Sequence, residues 1–312
     1  MNGTVQTAAP AACFGAIHLD LIAHAKEPIH RETSTPSTMR GMPGGVATNV
    51  ARGLAKLGVP VALSGALGDD GDGAALRSLL GREGLNLFGV RTLPLPTGRY
   101  VALHDPDGSL AAAVVDTDIT ESLDASLARD LSPATRAAGL WFIEANLPQT
   151  VLEALAQASG SRLLAADAVS NAKAARLRPI LQRLDILFVN RGEAARLTGL
   201  SSDTPQEELG AALRALGPGA VVISAGAKPL FWSKGEAHGF LTPPPAMVHD
   251  VTGAGDALMA GTLAGIARNL PLSESLEKGL AAAAMTLAVT GAVAAGLSWA
   301  ALEALPSASA PR

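Results

Sequence analysis

The sequence is short of cysteine, of aromatic side chains and of charge. Its 312 residues include one cysteine, Cys13, so no disulfide can form within the chain and no cysteine-cluster metal site can be built. Aromatic residues make up 3% and charged residues 17%, whereas hydrophobic residues reach 48%, which excludes a largely disordered chain. The formal net charge of −4 argues against a nucleic acid or an anionic membrane as the main partner.

Signals for export and for membrane insertion are also weak. Residues 1–16 lack the basic region that opens a secretory leader, so we expect a cytoplasmic protein. The stretch Gly279 to Leu302 carries no charge and is long enough to span a bilayer. Its apolar content is mostly alanine, and Gly291 and Gly296 interrupt it. This pattern predicts a close-packed buried helix.

Short apolar runs alternate with amphipathic segments along most of the chain. We predict strands at 12–17, 61–66, 140–145, 162–167, 185–190 and 220–225, and helices at 46–58, 73–84 and 206–217. This alternation predicts an α/β fold in one domain over residues 1–312, with a mainly parallel sheet and helices on both faces. Such sheets bind ligands at the carboxyl ends of their strands.

Two stretches break the alternation. Residues 99–116 read as two strands around a Pro106-Asp107-Gly108 turn, which predicts a hairpin. Residues 24–43 are polar and irregular, with short extended pieces expected. The hairpin could serve as a small β lid, contributed by about 20–43 and 97–118, or as a decorative edge of the sheet.

The stretch DVTGAGDALMAG, residues 250–261, places Gly253 and Gly255 at the start of an apolar helix. The first amides of a helix lack internal partners and attract anions, and glycines let a phosphate approach them closely. Asp256 would repel that phosphate, unless it acts as the general base for an attacking hydroxyl. The alternative is a plain helix start whose aspartate complements the dipole. No GK[ST] follows, and Leu258 stands where a dinucleotide fingerprint needs its third glycine.

Two further motifs allow a functional and a structural interpretation. Gly44-Gly45 precede a helix with Asn49 near its first turn, which suits sugar hydroxyls or is an ordinary loop and helix. Asn190 and Glu193 lie three apart on one helix face, where they could orient the waters of Mg²⁺. They could equally form a capping box at that helix.

Taken together, these pieces resemble the ribokinase, or PfkB, family of sugar and nucleoside kinases. The order matches over nearly the whole chain: GAIHLD (15–20), PGGVATN (43–49), the hairpin, NRGE (190–193) and DVTGAGD (250–256). The closest match within the family is the subgroup of pseudouridine kinases, which the segments 97–119 and 165–173 also resemble. The resemblance implies a ribokinase-like fold with a β lid over the substrate.

The resemblance also implies roles for the matching residues. Asp256 would be the catalytic base, and the amides of Gly253, Ala254 and Gly255 would hold the transferred phosphoryl group. The expected substrate-binding residues are Asp20, Gly44, Gly45 and Asn49. The expected nucleotide-binding residues are Asn190, Glu193, Ser224 and Gly226. Glu193 would hold Mg²⁺ through water, and Asp250 and Thr252 match positions that hold a monovalent cation such as K⁺ in some relatives.

The expected activity is ATP- and Mg²⁺-dependent phosphorylation of the 5′-hydroxyl of a nucleoside, with pseudouridine as the first choice. The alternatives are a kinase for ribose, fructose, adenosine or a keto-sugar acid, and a non-catalytic sensor on the same fold. Three positions depart from the family pattern: Pro229 ends the ATP loop, Ala168 stands where the subgroup usually has proline, and Glu144 stands where relatives often have aspartate. An exposed lid edge also suggests a homodimer through the lid.

Overall fold

The structure, a computed structural model, describes residues 8–305. Its strands are β1 (Ala11–Phe14), β2 (His18–Ala25), β3 (Ser37–Gly44), β4 (Val61–Gly68), β5 (Asn86–Leu93), β6 (Gly98–His104), β7 (Leu110–Asp116), β8 (Leu140–Glu144), β9 (Leu163–Asp167), β10 (Ile186–Asn190), β11 (Ala220–Ala225), β12 (Lys228–Lys234) and β13 (Ala237–Leu241). Its helices are α1 (Val46–Lys56), α2 (Gly71–Arg82), α3 (Asp118–Glu121), α4 (Ser126–Arg129), α5 (Pro133–Ala137), α6 (Gln149–Ala158), α7 (Arg191–Thr198), α8 (Gln206–Ala215), α9 (Ala254–Ile266), α10 (Leu272–Leu287) and α11 (Trp299–Ala304), with a 3₁₀ helix at Ala174–Arg183.

The main sheet has nine strands in the order β13-β12-β11-β10-β9-β8-β1-β4-β5. The seven strands from β11 to β5 are parallel, and β12 and β13 extend them as an antiparallel edge. All six predicted strands and all three predicted helices are confirmed, with ends that move by at most three residues. The carboxyl ends of the parallel strands therefore share one edge, where the predicted motifs lie.

Successive side chains of the buried strands pack alternately into two hydrophobic cores, one on each face of the sheet. In β1, Ala11 and Cys13 belong to the core beneath α1, α9 and α10, whereas Ala12 and Phe14 belong to the opposite core. Phe14 packs against Trp141 there, with ring centroids 4.8 Å apart. Cys13 is buried, and its burial raises the pKa of its thiol.

A second sheet has four strands in the order β3-β2-β6-β7. We call it the lid, after the prediction for these residues. The hairpin predicted at 99–116 is confirmed as β6 and β7. The expectation of irregular chain with short extended pieces at 24–43 is confirmed for residues 26–36, which form turns and loop, whereas the extended part at Ser37–Gly44 is one continuous strand of eight residues. Most of β3 is exposed on both faces, and the strand is held by its pairing with β2, so it lacks the apolar alternation that predicts a strand.

The prediction of one helix over 279–302 was wrong. Helix α10 ends at Leu287, residues 288–298 form turns, and α11 follows. Gly291 adopts a φ of 100°, which a helix does not allow, and its N–H donates to the Asp250 carboxylate. Within residues 8–305, no helix combines the length and the apolar character that crossing a membrane requires.

Candidate active site

A small cavity lies at the carboxyl ends of β9, β10 and β11, against the start of α9. We call it the inner cavity; its volume is about 190 Å³, and its polar lining consists of Asp167, Asn190, Glu193, Ser224 and Asp256. Four of these five residues were predicted from sequence as site residues. Their meeting at one point follows from the shared edge of a parallel sheet.

Helix α9 presents unpartnered amides to this cavity. Gly253 caps the helix with a φ of 77°, and a Cβ there would lie 2.4 Å from the Ala292 Cα atom. Around Gly255 no atom lies within 4 Å of where a Cβ would stand. Among residues 8–305, the N–H groups of Gly255 and Asp256 find no acceptor, and that of Ala254 reaches the Val251 carbonyl only at 3.4 Å. This helix start therefore has both the donors and the room to receive an anion.

Asp256 stands in the first turn of α9 and is partly buried. Its Oδ2 atom accepts a hydrogen bond of 2.8 Å from Asn49 Nδ2, although the two residues are 207 positions apart. Burial raises the pKa of Asp256 to about 7, the Asn49 bond lowers it in part, and the charges of Glu144 and Asp20 raise it. A carboxylate poised near neutral pH can accept a proton from a substrate hydroxyl.

Asn49 has a second feature that bears on ligand binding. Its side chain is buried, and its Oδ1 atom has no hydrogen-bond partner among residues 8–305. Buried polar atoms rarely stay unpaired in proteins, so an unpaired acceptor beside Asp256 indicates the place of a ligand's hydroxyl.

Asn190 and Glu193 form a capping box at the start of α7, the structural alternative from the sequence. The Asn190 main-chain N–H donates to Glu193 Oε2 at 2.8 Å, and Glu193 N–H donates back to Asn190 Oδ1 at 2.9 Å. The box does not exclude a ligand role, because Glu193 still lines the inner cavity. Burial raises the pKa of Glu193, so its negative charge is unfavourable without a counter-ion.

Asp167, the last residue of β9, received no role from the sequence. Burial, followed by the charges of Glu193 and Asp256, raises its pKa well above the usual value. Its place at the carboxyl end of a parallel strand, beside the strand that ends in Asn190, was the signal that could have found it. The part of the chain that the structure describes has no group of three or more side chains that could enclose a metal ion directly.

The oxygen atoms that line the inner cavity nevertheless fit a hydrated Mg²⁺. They are hard carboxylate and amide oxygens, which this ion prefers, and Mg²⁺ keeps several waters instead of a full protein cage. Burial raises the pKa of both Asp167 and Glu193, and the charges of Glu193 and Asp256 raise that of Asp167 further. A divalent cation would offset the cost of these buried negative charges.

A larger cavity of about 530 Å³ lies between the inner face of the lid and residues 248–252. We call it the lid cavity. Asp20 of β2 lines it, and burial raises the pKa of Asp20 to about 6, with the Arg52 charge opposing the shift. A Cβ at Gly44 would lie 2.0 Å from Asp20 Oδ2, so this glycine makes room for the carboxylate. Asp20 also raises the pKa of Asp256, which places the two cavities next to each other.

Gly45 lies close to protein backbone. Its φ is 96°, and a Cβ there would lie 2.2 Å from the Ala16 carbonyl oxygen. The same oxygen accepts a hydrogen bond of 2.8 Å from Thr48 Oγ1. Gly45 therefore fixes the start of α1 against the end of β1, and so fixes Asn49 one turn later.

His18 is a further residue that sequence reasoning missed. It begins β2 on the same face as Asp20, is buried, and its Nε2 atom has no partner among residues 8–305. Burial, together with the nearby charge of Lys173, lowers the pKa of His18 to about 4, so the ring is neutral. The ring lies above Gly98, where a Cβ would stand 2.6 Å from His18 Cδ2.

The predicted ATP loop is the turn between β11 and β12. Ser224 lines the inner cavity, and Gly226 adopts a φ of 64° in the turn. Pro229 follows on β12, where the pairing with β11 shifts register between Ile223 and Ala225. A proline is tolerated at such an irregularity because no ladder donor is needed there.

Asp250 and Thr252 line the lid cavity and lie outside the inner cavity. Asp250 accepts N–H bonds from Thr252 at 2.8 Å and from Gly291 at 3.0 Å, which lower the pKa of its carboxyl. The aspartate thus stays ionised and ties the loop before α9 to the loop after α10.

Glu144, the departure at the end of β8, is fully buried. Each of its carboxylate oxygens accepts a main-chain N–H at 2.6 Å, one from Ala16 and one from Asn146. Gly15 leaves room for it, since a Cβ there would lie 2.1 Å from Glu144 Oε1. Burial raises the pKa of Glu144 to about 7. This residue clamps the turn after β1 beneath the site.

Comparison with known proteins gives this fold and site a class. A carbohydrate kinase from Agrobacterium tumefaciens is 31% identical, superimposes with a TM-score of 0.82, and each chain is covered to 95% or more. An Arabidopsis thaliana ribokinase, whose structure was solved with ribose and ATP, is 24% identical with a TM-score of 0.82, over 96% of this chain and all of the other. Escherichia coli pseudouridine kinase is 26% identical over 88% of this chain and 89% of its own length.

The fold and the relatives define a phosphotransferase that uses an alcohol group as acceptor. The model of the pfkB family carbohydrate kinases matches residues 9–299, nearly the whole chain. The chain belongs to that family. The predicted ribokinase-like α/β fold is therefore confirmed.

Proposed function

We propose that this kinase transfers the γ-phosphoryl group of ATP to the 5′-hydroxyl of a nucleoside, with pseudouridine as the preferred acceptor. The observation that carries the proposal is the placement of Asp256. Its carboxylate lies beside amides of α9 that have no acceptor among residues 8–305, is bonded to Asn49, and is close enough to Asp20 of the lid cavity to be influenced by its charge. A phosphate group bound by these amides and an alcohol bound in the lid cavity would thus both lie next to the Asp256 carboxylate.

The chemistry needs one proton transfer and one displacement in line. The acceptor oxygen attacks the γ-phosphorus atom, the bond to the ADP leaving group breaks, and the alcohol proton passes to Asp256. The amides of Gly253, Ala254 and Gly255 hold the charge that develops on the transferred group. Asn49 fixes the orientation of the Asp256 carboxylate by its 2.8 Å bond.

ATP and Mg²⁺ would occupy the inner cavity and the turn that follows β11. Ser224 and Gly226 would contact the nucleotide, and Asn190, Glu193 and Asp167 would hold the waters of Mg²⁺. When bound, the metal ion neutralises the phosphate oxygens. An Escherichia coli protein described as a putative ribokinase II, 18% identical, was solved in complex with ATP and Mg²⁺.

The acceptor would lie in the lid cavity with its sugar towards Asp256. Asp20 and the free Asn49 Oδ1 atom are acceptors for ribose hydroxyls, and Gly44 and Gly45 set the position of both side chains. The cavity volume of about 530 Å³ falls within the range of roughly 300–1,000 Å³ of small-molecule sites, and it leaves room for a base beyond the sugar.

Two relatives support pseudouridine: the Escherichia coli enzyme and an Arabidopsis thaliana pseudouridine kinase, 26% identical over 86% of this chain. A second acceptor has support of its own, because a Thermococcus kodakarensis cytidine kinase is 30% identical over 77% of this chain. Both are nucleosides, and the two candidates differ only in the base.

A panel of acceptors tests the proposal. The purified protein is assayed with ATP and Mg²⁺ against pseudouridine, uridine, cytidine, adenosine, ribose, fructose and a keto-sugar acid, and the product is located by phosphorus NMR. We expect the highest kcat/KM with pseudouridine and a phosphate on its 5′-oxygen. A higher kcat/KM with a free sugar, or ATP binding without turnover of any acceptor, would overturn the proposal.

The same proposal includes a monovalent cation and a dimer. Asp250 and Thr252 would contribute to a K⁺ site, which predicts faster turnover in K⁺ than in Na⁺ at equal ionic strength. Strand β7 is an exposed edge along its whole length, with Val114 67% and Val115 59% exposed, which suits pairing of two lids. A monomeric mass by light scattering would contradict the dimer.

A further inference from the structure

The inner face of the lid is arranged in rows across the strands. Cross-strand pairing places Met42, Asp20 and Tyr100 in one row, nearest to Asp256. Arg40, Ile22 and Ala102 form the next row, about 7 Å further along the strands, since two residues rise by that much. His24 and His104 begin the third row, with their rings stacked at 5.1 Å. All these side chains line the lid cavity.

The second row combines an apolar floor with one charged group at its end. Ile22 pairs with Arg40 on one side and with Ala102 on the other, and Ala102 pairs with Ala113. Arg40 is thus the single polar side chain of that row. An apolar strip of this width can receive the face of a flat ring, whose edge would then meet the guanidinium.

The Arg40 guanidinium has no partner of its own. Among residues 8–305, no carboxylate or carbonyl forms an ion pair or hydrogen bond with it, whereas Arg52 and Arg99 are both paired with carboxylates. A guanidinium that lines a cavity with all its donors free is suited to a ligand that offers oxygen acceptors.

We propose that Arg40 selects the base of the acceptor, and that it favours a ring whose edge presents carbonyl oxygens. This inference rests on the proposed function. When Asp20 holds the ribose, the base extends one row towards the lid tip, over Ile22 and Ala102, with its edge at Arg40. The stacked rings of His24 and His104 close the far end of this subsite.

The selectivity follows from the hydrogen-bonding inventory of arginine. Arginine only donates, so it bonds to the carbonyl oxygens of a uracil-type ring, which pseudouridine and uridine share. Cytosine and adenine carry an amino group at the matching edge, which cannot accept and would leave a donor facing a donor. A hydrogen bond from a charged donor contributes enough to change affinity by about 10- to 100-fold.

Three variants test this role: Arg40→Met, Arg40→Gln and the control Arg31→Met. Arg31 is an exposed lid arginine in the loop between β2 and β3 and does not line the cavity. Steady-state kinetics with pseudouridine, cytidine and ribose separate KM from kcat, and calorimetry gives the Kd of pseudouridine without ATP. Circular dichroism and thermal melts check that each variant folds.

We expect Arg40→Met to raise KM and Kd for pseudouridine by about 10-fold or more, with kcat within about 3-fold. Ribose, which has no base, should be affected by less than 2-fold, and Arg31→Met should match the wild type. Arg40→Gln, whose amide both donates and accepts, should narrow the preference for pseudouridine over cytidine.

Two contrary outcomes can be told apart. If the wild type prefers pseudouridine and Arg40→Met leaves its KM and Kd unchanged, the role of Arg40 is wrong and the proposed function stands. If the wild type turns over ribose faster than any nucleoside, both the proposed function and the base subsite are wrong.

Discussion

The inner cavity and the lid cavity differ in how their side chains are held. In the inner cavity, carboxylates end buried strands or open helices, and main-chain N–H groups or capping bonds fix them, as in Asn190 and Glu193. In the lid cavity, side chains stand on a four-stranded sheet whose outer strands are largely exposed, and Arg40 has no hydrogen-bond or ion-pair partner among residues 8–305. The first arrangement suits charge stabilisation at fixed positions, and the second suits recognition of variable acceptors.

The largest expected effect is a loss of kcat on substitution of Asp256 in the inner cavity. Asp256→Asn removes the proton acceptor and keeps the size of the side chain, so we expect kcat to fall by at least about 10²-fold. ATP binding, measured by calorimetry, should stay within a few-fold of the wild type. Turnover close to that of the wild type would show that the base is another residue.

The next effect concerns the junction between the two regions. Gly45→Ala places a Cβ at a φ of 96° and 2.2 Å from the Ala16 carbonyl oxygen. We expect a loss of about 2 kcal/mol in the free energy of unfolding, measured with urea. Gly71→Ala is the matched control, because no atom lies within 4 Å of its added Cβ, and it should be close to neutral. Equal losses of stability in the two variants would contradict the close contact between Gly45 and the Ala16 carbonyl oxygen.

Asp256→Asn should also raise stability at high pH. The pKa of Asp256 is raised to about 7, so the native state binds more protons than the unfolded state between pH 4 and 7. Stability from this residue therefore falls as pH rises through that window. Asparagine has no charge, and we expect the variant to be more stable at pH 8 by roughly 1–2 kcal/mol, after allowing for solvent contact.

Urea unfolding at pH 8 and at pH 4 measures this difference, which should vanish near pH 4. A variant that is less stable than the wild type at pH 8 would mean that the Asp256 charge is well compensated in the native state. The pKa of Asp256 would then not be raised, and the carboxylate would lack the pKa near 7 that suits a general base.

The smallest expected effect lies on the lid side. Asp20→Asn keeps one acceptor oxygen but loses the charge that strengthens its bonds to sugar hydroxyls, so we expect KM for the acceptor to rise about 10-fold. The kcat should change much less, because Asp20 touches neither the phosphates nor the attacking proton in this account. A fall in kcat as large as that of Asp256→Asn would remove the distinction between the two cavities.

Most of the fold was predictable, because buried parallel strands such as 140–144 and 220–225 are continuous apolar runs. Strands β2 and β3 were not, since a half-exposed lid is specified by pairing with distant strands and lacks a local pattern. The turns at 288–298 escaped prediction for a similar reason, because the Gly291 N–H is held by Asp250, 41 residues away. The alanine-rich sequence by itself predicts that α10 continues through these residues.

The site was predictable as a set of motifs and not as a geometry. The GAGD motif predicted a role for Asp256, because the first amides of a helix attract phosphate. The hydrogen bond of Asp256 to Asn49 could not be predicted, because it depends on the packing of α1 against α9. Arg40 and His18 carry no motif, and only the register of the lid strands places them in or beside the cavity. Their roles could be inferred only once that register was known.

The central claim is that the Asp256 carboxylate takes the proton of the acceptor hydroxyl. The most direct measurement is the pH dependence of kcat/KM between pH 5.5 and 8.5, for the wild type and for Asp256→Asn. If Asp256 is the base, the wild-type kcat/KM rises tenfold per pH unit below a midpoint near 7, and the variant keeps a residual kcat/KM without that midpoint. The same midpoint in the variant, or a flat wild-type profile, would contradict it.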